Sequence, residues 1–284
     1  MRGGRVATFR YVVADVFTDT PLEGNGVAVF TDARELAEDV LQPLARELNL
    51  AETVFVYPPA ADGHARIRIF TPTVEMPFAG HPVLGTAFVL GQPLQLVEIR
   101  LETLVGTIPV RLEREGPAIT FGWMDQPVPA VEPFDESLLL PALGVARSKL
   151  PVEVYDNGLN HVYVGLGSEE EVAALAPDFA ALKSAGDVGV NCFAGSGARW
   201  KTRMFFPARG VDEDPATGSA AGPLAVHLAR HGRTGWGDEI VITQGAEIRR
   251  PSTLHARAVG SGDSAERVEV GGAAVVVARG EFRL

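Results

Sequence analysis

The sequence is poor in cysteine and in lysine. Its 284 residues include a single cysteine, Cys192, so no disulfide can form within the chain, and a lone thiol is typical of a reducing cytoplasm. The three lysines are Lys149, Lys183 and Lys201, and none of them lies in a glycine-rich loop. A pyridoxal Schiff base is therefore not expected.

The chain also lacks a basic surface and a long apolar run. Asp and Glu number 36 against 25 Lys and Arg, a net charge of −11 without any basic cluster, which argues against a nucleic-acid partner. No stretch reaches the roughly 18 apolar residues of a membrane span. The N-terminal Met-Arg-Gly-Gly-Arg resembles the start of a signal peptide, but Arg10 and Asp15 interrupt the following residues 6–16, which instead predict a strand. We expect a cytoplasmic protein without nucleic-acid or membrane partners.

Length and composition indicate a globular protein of one large or two ordinary domains. Hydrophobic residues make up 46% of the 284 residues and charged residues 21%. A proline-rich stretch, residues 126–133, predicts a connection between an N-terminal lobe (1–125) and a C-terminal lobe (126–274), and the last strand, 275–284, could return to the first lobe. The pattern of elements predicts an α+β fold with many antiparallel strands around two internal helices.

The most informative stretch covers residues 211–232. An acidic loop that includes Asp214 leads through Gly218 into a segment of small apolar residues that ends at Gly232, a residue suited to a helix C-cap. This segment has almost no polar face, so it predicts a buried helix. The N-terminus of such a helix directs backbone N–H groups and a positive dipole end toward its surroundings.

The same design occurs earlier in the chain, which predicts two similar halves. Residues 68–81 and 203–219 can be aligned across a turn that is three residues longer in the second half. The matched pairs are Arg68 and Arg203, Phe70 and Phe205, Pro72 and Pro207, Pro77 and Pro215, and Gly80 and Gly218. Each half should therefore contain a strand, a glycine loop and a buried helix.

Three helices can be delimited from periodicity. Residues 35–48 predict a surface helix, and residues 169–182 predict a helix in the second half. Pro82 suits a first helical position, so the first buried helix is expected to start there and to stop at Gly91.

The sequence contains no convincing motif for binding a metal ion or a dinucleotide. His227 and His231 are four residues apart on one helix, but no third ligand is evident, and His231 fits a cation at a helix C-terminus. The pairs Gly165/Gly167 and Gly195/Gly197 lack the third glycine of a dinucleotide fingerprint and predict turns. Cys192 lies in a predicted strand and is expected in the core. No metal and no cofactor are predicted.

Four motifs resemble the phenazine-biosynthesis isomerase family, the PhzF-like proteins. They are residues 15–30, 51–56, 69–86 and 212–221, so the resemblance covers nearly the whole chain. Two positions depart from the family pattern: Gly26 stands where proline is usual, and Pro223 lies in the first turns of the second buried helix.

The resemblance implies a diaminopimelate-epimerase-like fold. Such proteins have two pseudo-symmetric lobes, each an antiparallel-rich rolled sheet or barrel around a central helix, with the active site in the cleft between them. A homodimer is also implied. Related racemases use one cysteine from each lobe, and this chain has only Cys192, so two-thiol chemistry is not available.

The resemblance also assigns roles to particular residues. It implies that Glu52 is the general acid/base and that His81 and Asp214 assist it or hold the substrate. The backbone of Gly80 and Gly218, together with Ser219, would bind an anionic substrate.

The residues themselves leave simpler interpretations open. Glu52 stands at a helix-to-strand junction where glutamate is usually solvated. His81 and Ser219 could cap the helices that follow them, and Asp214 precedes a proline as in many turns. Glu75 and Glu213 are second-choice carboxylates for the same site.

We therefore expect a cofactor-independent isomerase that moves a proton and a double bond in a small carboxylic acid such as a dihydro-hydroxyanthranilate. Two alternatives remain at this point. One is an epimerase or racemase that uses carboxylate and histidine instead of thiols. The other is a non-catalytic protein that binds small molecules with the same fold.

Overall fold

The computed structural model describes residues 7–284, which divide into two compact units. Unit 1 contains the described residues up to Leu22, then Gly26–Met124 and Ala273–Leu284; unit 2 contains Glu23–Asn25 and Asp125–Gly272. Residues 1–6, which include the basic N-terminus and the start of the first predicted strand, lie outside the described residues.

Strands outnumber helices in the described residues of both units. The first elements are β1 (Thr8–Val16), β2 (Asn25–Phe30), α1 (Glu38–Leu48), β3 (Glu52–Tyr57), β4 (Ala65–Phe70), β5 (Glu75–Met76), α2 (Gly80–Leu94), β6 (Glu98–Thr103), β7 (Gly106–Glu115) and β8 (Ala118–Gln126). The next are β9 (Ala130–Pro133), α3 (Leu139–Leu143), β10 (Glu153–Asp156), β11 (Asn160–Gly165), α4 (Glu169–Ala173), α5 (Phe179–Lys183), β12 (Gly189–Ser196) and β13 (Arg199–Phe206). The last are β14 (Val211–Asp214), α6 (Gly218–Arg230), β15 (Glu239–Gln244), β16 (Ser252–Ser261), β17 (Ser264–Gly272) and β18 (Ala274–Arg283).

The strand pairings of unit 1 combine parallel and antiparallel neighbours. β2 runs parallel to β3, β3 is antiparallel to β4, and β4 pairs antiparallel with β5 and parallel with β6. β6, β7 and β8 then form an antiparallel meander. The C-terminal strand β18 pairs antiparallel with β1, so the last strand belongs to the sheet of unit 1.

Unit 2 repeats this order of pairings. β11 runs parallel to β12, β12 is antiparallel to β13, and β13 pairs antiparallel with β14 and parallel with β15. β15, β16 and β17 form the second meander, and β9 pairs with β10 as β18 does with β1. The α+β fold of two similar halves that the sequence predicts is confirmed.

Each unit encloses one apolar helix. Eleven of the 15 residues of α2 are buried, and this helix packs against β1, β3, β6, β7 and β18. Eleven of the 13 residues of α6 are buried against β11, β15, β16 and β17. By contrast, α1 buries only Leu41, Leu44 and Ala45, as expected for a surface helix. Within residues 7–284 no helix combines the length and apolar character needed to cross a membrane.

The predicted bounds of the first buried helix are wrong at both ends. α2 begins at Gly80, two residues before Pro82, and it continues through Gly91 to Leu94. Gly91 lies inside the helix, and its lack of a side chain allows close packing. A Cβ atom there would lie 2.5 Å from the Leu112 side chain of β7. The helix ends instead at Gln95, which adopts a left-handed conformation with φ of 55°.

The single helix predicted over 169–182 is also wrong, because two short helices occupy this stretch. Pro177 separates α4 from α5, and a proline disfavours helical conformation in the residue before it. Each short helix has its own cap: the Ser168 side chain accepts a hydrogen bond from the Glu171 N–H, and the Asp178 side chain accepts one from the Ala181 N–H.

α6 is followed by the glycine cap that the sequence predicts. Gly232 has a φ of 65°, and the N–H of the following residue, Arg233, donates to the Leu228 carbonyl at 2.8 Å. This is the hydrogen bond of a Schellman cap, so the predicted role of Gly232 is confirmed.

Two arginine–glutamate pairs mark equivalent places in the units. In unit 1, Arg68 donates two hydrogen bonds of 2.7 Å to the two carboxylate oxygens of Glu75. In unit 2, Arg203 binds Glu213 in the same bidentate manner at 2.9 and 2.7 Å, and it also donates to the Leu175 carbonyl at 2.7 Å. Both glutamates are thus held by a guanidinium group. The Arg203–Glu213 pair is the more buried, with side chains 9% and 8% exposed.

Removing Arg203 should destabilise the protein strongly. We expect Arg203→Met to lower the free energy of unfolding by about 3–5 kcal/mol, because the Glu213 carboxylate would remain buried without its partner. Urea denaturation measures this change. The matched control is Arg34→Met, which breaks an ion pair with Asp32 whose side chains are 64% and 55% exposed and should cost less than about 1 kcal/mol. Equal effects of the two substitutions would contradict the prediction.

Candidate active site

Glu52 and His81 form a contact within unit 1. Glu52 is the first residue of β3, and alternation along the strand directs it away from the face on which Phe55 packs beneath α1. His81 is the second residue of α2, which packs against β3. The Nε2 atom of His81 lies 3.0 Å from Oε2 of Glu52.

The burial of this pair distinguishes it from a surface ion pair. The Glu52 side chain is 16% exposed and the His81 side chain 5%, so the carboxylate is largely shielded from water but still reachable. The interpretation of His81 as a helix cap is wrong, because the capping position is Ala79, in an extended conformation. The contact is an ion pair by distance and does not have hydrogen-bond geometry. It still places a carboxylate and an imidazole side by side, as acid–base catalysis needs.

Asp214 is held in a fixed orientation within unit 2. Its two carboxylate oxygens accept hydrogen bonds from Asn25 Nδ2 at 2.9 Å and from the Thr217 hydroxyl at 2.6 Å. The Gln244 amide donates to the Asp214 backbone carbonyl and to the Thr217 hydroxyl, at 2.8 and 2.9 Å. Asp214 is therefore more than a turn residue, because three other side chains fix its carboxylate or its loop.

Ser219 is buried at the start of α6. The capping position of this helix is Thr217, so the interpretation of Ser219 as an N-cap is wrong. The Ser219 Oγ atom lies 3.1 Å from Nε2 of His161, a fully buried residue of β11. Pro223 has no N–H to donate to the Ser219 carbonyl four residues before it, and Asn157 Nδ2 supplies that hydrogen bond at 2.8 Å.

Gly80 and Gly218 are the first residues of α2 and α6. Neither helix has a side-chain hydrogen bond at its capping position. The preceding residue is Ala79 in one case, and in the other it is Thr217, whose hydroxyl donates to Asp214 instead. Each helix thus presents N–H groups and the positive end of its dipole without a capping side chain, which is the usual environment for binding an anion.

Cys192 lies in the core of unit 2. It is fully buried in β12, and burial raises the pKa of its thiol to about 12. The thiol is therefore protonated at neutral pH, and the prediction that Cys192 is a core residue is confirmed.

The structure places a third possible metal ligand, Glu153, beside His227 and His231. Among residues 7–284, Glu153, His227 and His231 are the group of three whose ligand atoms lie close enough to hold a metal ion. However, the Arg230 guanidinium lies 2.9 Å from Glu153 Oε2, the same oxygen that is 2.8 Å from His231 Nε2. The Tyr155 hydroxyl also donates to this oxygen at 2.9 Å. A fixed positive charge thus stands where a cation would bind, and the cluster forms an ion-pair network at the end of α6.

Comparisons with known proteins agree with this fold. A family model for phenazine biosynthesis-like proteins (PhzC-PhzF) matches residues 14–280. The trans-2,3-dihydro-3-hydroxyanthranilate isomerase of Pseudomonas chlororaphis is 52% identical over 275 residues, which are 96% of this chain and 99% of that protein. A crystal structure of a PhzF-family phenazine biosynthesis protein from Bacillus anthracis has a TM-score of 0.84 at 24% identity and covers 98% of this chain and 100% of that one.

A more distant likeness concerns the fold alone. A hydroxyproline epimerase from Agrobacterium vitis has a TM-score of 0.69 at 13% identity, with 100% of this chain and 94% of that chain covered. Fold and relatives together define an isomerase with an epimerase-like α+β fold. The chain belongs to the phenazine biosynthesis-like protein family (PhzC-PhzF).

The acid side of the stability profile should depend on His161. Burial lowers the pKa of this residue in the native protein to about 3, whereas the unfolded chain has the ordinary value of about 6.5. The stabilisation is therefore complete above pH 6.5 and is lost as the pH falls toward 3. We expect wild-type protein to lose about 1.2 kcal/mol more than His161→Leu between pH 6 and 5.

Urea denaturation at several pH values measures this slope. The control is Leu104→Ala, at a position that does not titrate and is 69% exposed, which should leave the wild-type slope unchanged. A slope for His161→Leu that equals the wild-type slope would contradict the prediction, whatever the absolute stability of the variant.

Proposed function

We propose that this isomerase acts on trans-2,3-dihydro-3-hydroxyanthranilate or a close analogue and that it moves a proton without a cofactor. The substrate assignment rests on relatives that are 52% identical over nearly their full length and carry that name. The observation that supports the chemistry best is the 3.0 Å contact between the shielded Glu52 carboxylate and the His81 imidazole.

In the proposed reaction Glu52 is the general acid/base. Its carboxylate removes a proton from an activated carbon of the substrate, and the electron pair of that C–H bond shifts the neighbouring double bond. Glu52 then returns the proton at the other end of the shifted system, so substrate and product are isomers and no other reactant is consumed. His81 assists by orienting the substrate or by relaying a proton to a substrate heteroatom.

The remaining roles concern binding and orientation. We assign Asp214 to orientation of the substrate or to proton relay, because its carboxylate is fixed by Asn25 and Thr217. Gly80, Gly218 and Ser219 are assigned to anion binding, since they lie at helix starts without capping side chains.

Glu52→Gln should abolish turnover while the protein stays folded. We expect kcat to fall by about 10²–10⁴-fold, the usual contribution of a general acid/base, because the amide cannot take up the proton. Steady-state kinetics with the dihydro-hydroxyanthranilate and a thermal unfolding curve measure both properties. Glu47→Gln, on the exposed side of α1, is the matched control and should keep wild-type activity. Full activity of Glu52→Gln would exclude the mechanism.

Solvent deuterium distinguishes isomerisation from epimerisation. In D₂O we expect one deuterium in the product at the carbon that receives the proton, together with a shifted double bond, because a reachable carboxylate exchanges with solvent. NMR and mass spectrometry of the product detect both changes. Deuterium at a single carbon with inverted configuration and an unmoved double bond would contradict the proposal and favour the epimerase.

Kinetic coupling tests whether Asp214 serves the same reaction. If Asp214 and Glu52 act in one catalytic step, the loss in kcat for Glu52→Gln with Asp214→Asn should be smaller than the product of the two single losses. Strictly multiplicative losses would contradict a shared step.

The family resemblance also suggests a cytoplasmic homodimer. Sedimentation equilibrium should then give twice the 30.2 kDa of one chain. A mass of one chain across micromolar concentrations would exclude the dimer.

A further inference from the structure

The His161 imidazole is the only ionisable side chain with a contact to the Ser219 hydroxyl among the hydrogen bonds described. His161 is fully buried on β11, and its Nε2 atom lies 3.1 Å from Ser219 Oγ. Either atom can be the donor in such a pair, and the two possibilities have opposite consequences for a ligand. The tautomer of the imidazole decides between them.

Asn191 sets that tautomer. Its Nδ2 atom lies 3.1 Å from the Gly189 carbonyl oxygen and 3.4 Å from that of Val162. Carbonyl oxygens can only accept, so the amide must present its nitrogen to them. The same Nδ2 atom lies 3.4 Å from His161 Nδ1. An unprotonated Nδ1 faces an N–H₂ group that only donates, whereas a protonated Nδ1 would face that group without an acceptor, so the contact favours the unprotonated form.

The proton of the neutral ring then resides on Nε2 and points toward Ser219. Burial lowers the pKa of His161 to about 3, so the ring carries a single proton at neutral pH. With Nε2–H as the donor, Ser219 Oγ is the acceptor. The hydroxyl proton of Ser219 is left to donate to another group.

The surroundings keep the ring in this place. Gly189 pairs with His161 in the parallel ladder between β11 and β12, and a Cβ atom at Gly189 would lie only 3.0 Å from His161 Nδ1. Asn157 donates a hydrogen bond to the Ser219 carbonyl, which receives none from Pro223 because proline has no N–H. Both the hydroxyl and the backbone of Ser219 are thus held from within unit 2.

We propose that His161 is a positioning residue that fixes the Ser219 hydroxyl as a hydrogen-bond donor, so that the start of α6 offers this O–H group to a carboxylate. This inference rests on the proposed function, in which Ser219 binds the anionic group of the substrate. His161 acts through Ser219 and does not itself contact the substrate.

The tautomer can be measured without any substrate. In ¹⁵N-histidine-labelled wild-type protein at pH 7, we expect the long-range ¹H–¹⁵N spectrum to show a protonated Nε2 and an unprotonated Nδ1 for His161, with the signal assigned from its absence in His161→Gln. A proton on Nδ1, or on both nitrogens, would overturn the proposal. This result does not depend on whether the isomerase proposal is correct.

Kinetics test the consequence for binding. We expect His161→Leu to raise KM for the dihydro-hydroxyanthranilate about tenfold with kcat changed less, the size expected for one hydrogen bond. In a Ser219→Ala background the same substitution should have no further effect on KM, because the hydroxyl it positions is absent. An equal loss in both backgrounds would indicate a merely structural role and would overturn the proposal.

Two further variants sharpen the comparison. His161→Gln keeps an N–H donor and should have a KM closer to wild type than His161→Leu has; equal KM values for the two would contradict the role of the donated hydrogen bond. His64→Leu, at an exposed position of unit 1, is the control and should leave KM unchanged. If no variant and no wild-type sample turns over the substrate, the proposed function fails, whereas the NMR result still decides the orientation of the hydroxyl.

Discussion

Burial of two helices that have almost no polar surface is the constraint on which the rest of the structure depends. Because α2 and α6 have no face that favours water, strands must surround each of them, and both units do this with the same order of pairings. The helix starts are then the places where backbone N–H groups remain to be satisfied. Of the residues that we assign to chemistry and binding, Glu52 lies on a strand that contacts α2, Asp214 ends β14 shortly before α6, and the others lie at the helix starts.

The two halves share a frame but differ in their polar side chains. Arg68 with Glu75 and Arg203 with Glu213 have kept the same bidentate geometry, so these pairs serve the fold. Unit 1 places a glutamate and a histidine beside its helix start. Unit 2 places a serine there, and its hydroxyl contacts His161, the second residue of β11. The second residue of β2 in unit 1 is Gly26. In the mechanism that we propose, this difference in polar residues assigns proton transfer to unit 1 and substrate orientation to unit 2.

The sequence was sufficient for the frame because burial leaves a local pattern. The small apolar residues of α6, the cap at Gly232 and the repeat around Gly80 and Gly218 can each be recognised within a few turns of chain. The helix bounds were less predictable. Gly91 resembles a helix terminator in the sequence, and its close approach to Leu112 could not be foreseen because the two residues are distant in the chain.

The polar networks could not be predicted, since they join residues far apart in the chain. Asn25 meets Asp214 across 189 positions and Asn157 meets Ser219 across 62, with no spacing that would reveal either contact. The exchange at Pro223 has a consequence for variation. An alanine there would bring an N–H that can donate to the Ser219 carbonyl, whereas loss of Asn157 with Pro223 in place would remove the donor described for that carbonyl. Positions 157 and 223 should therefore be epistatic, so that loss of Asn157 is best tolerated when Pro223 has already been replaced.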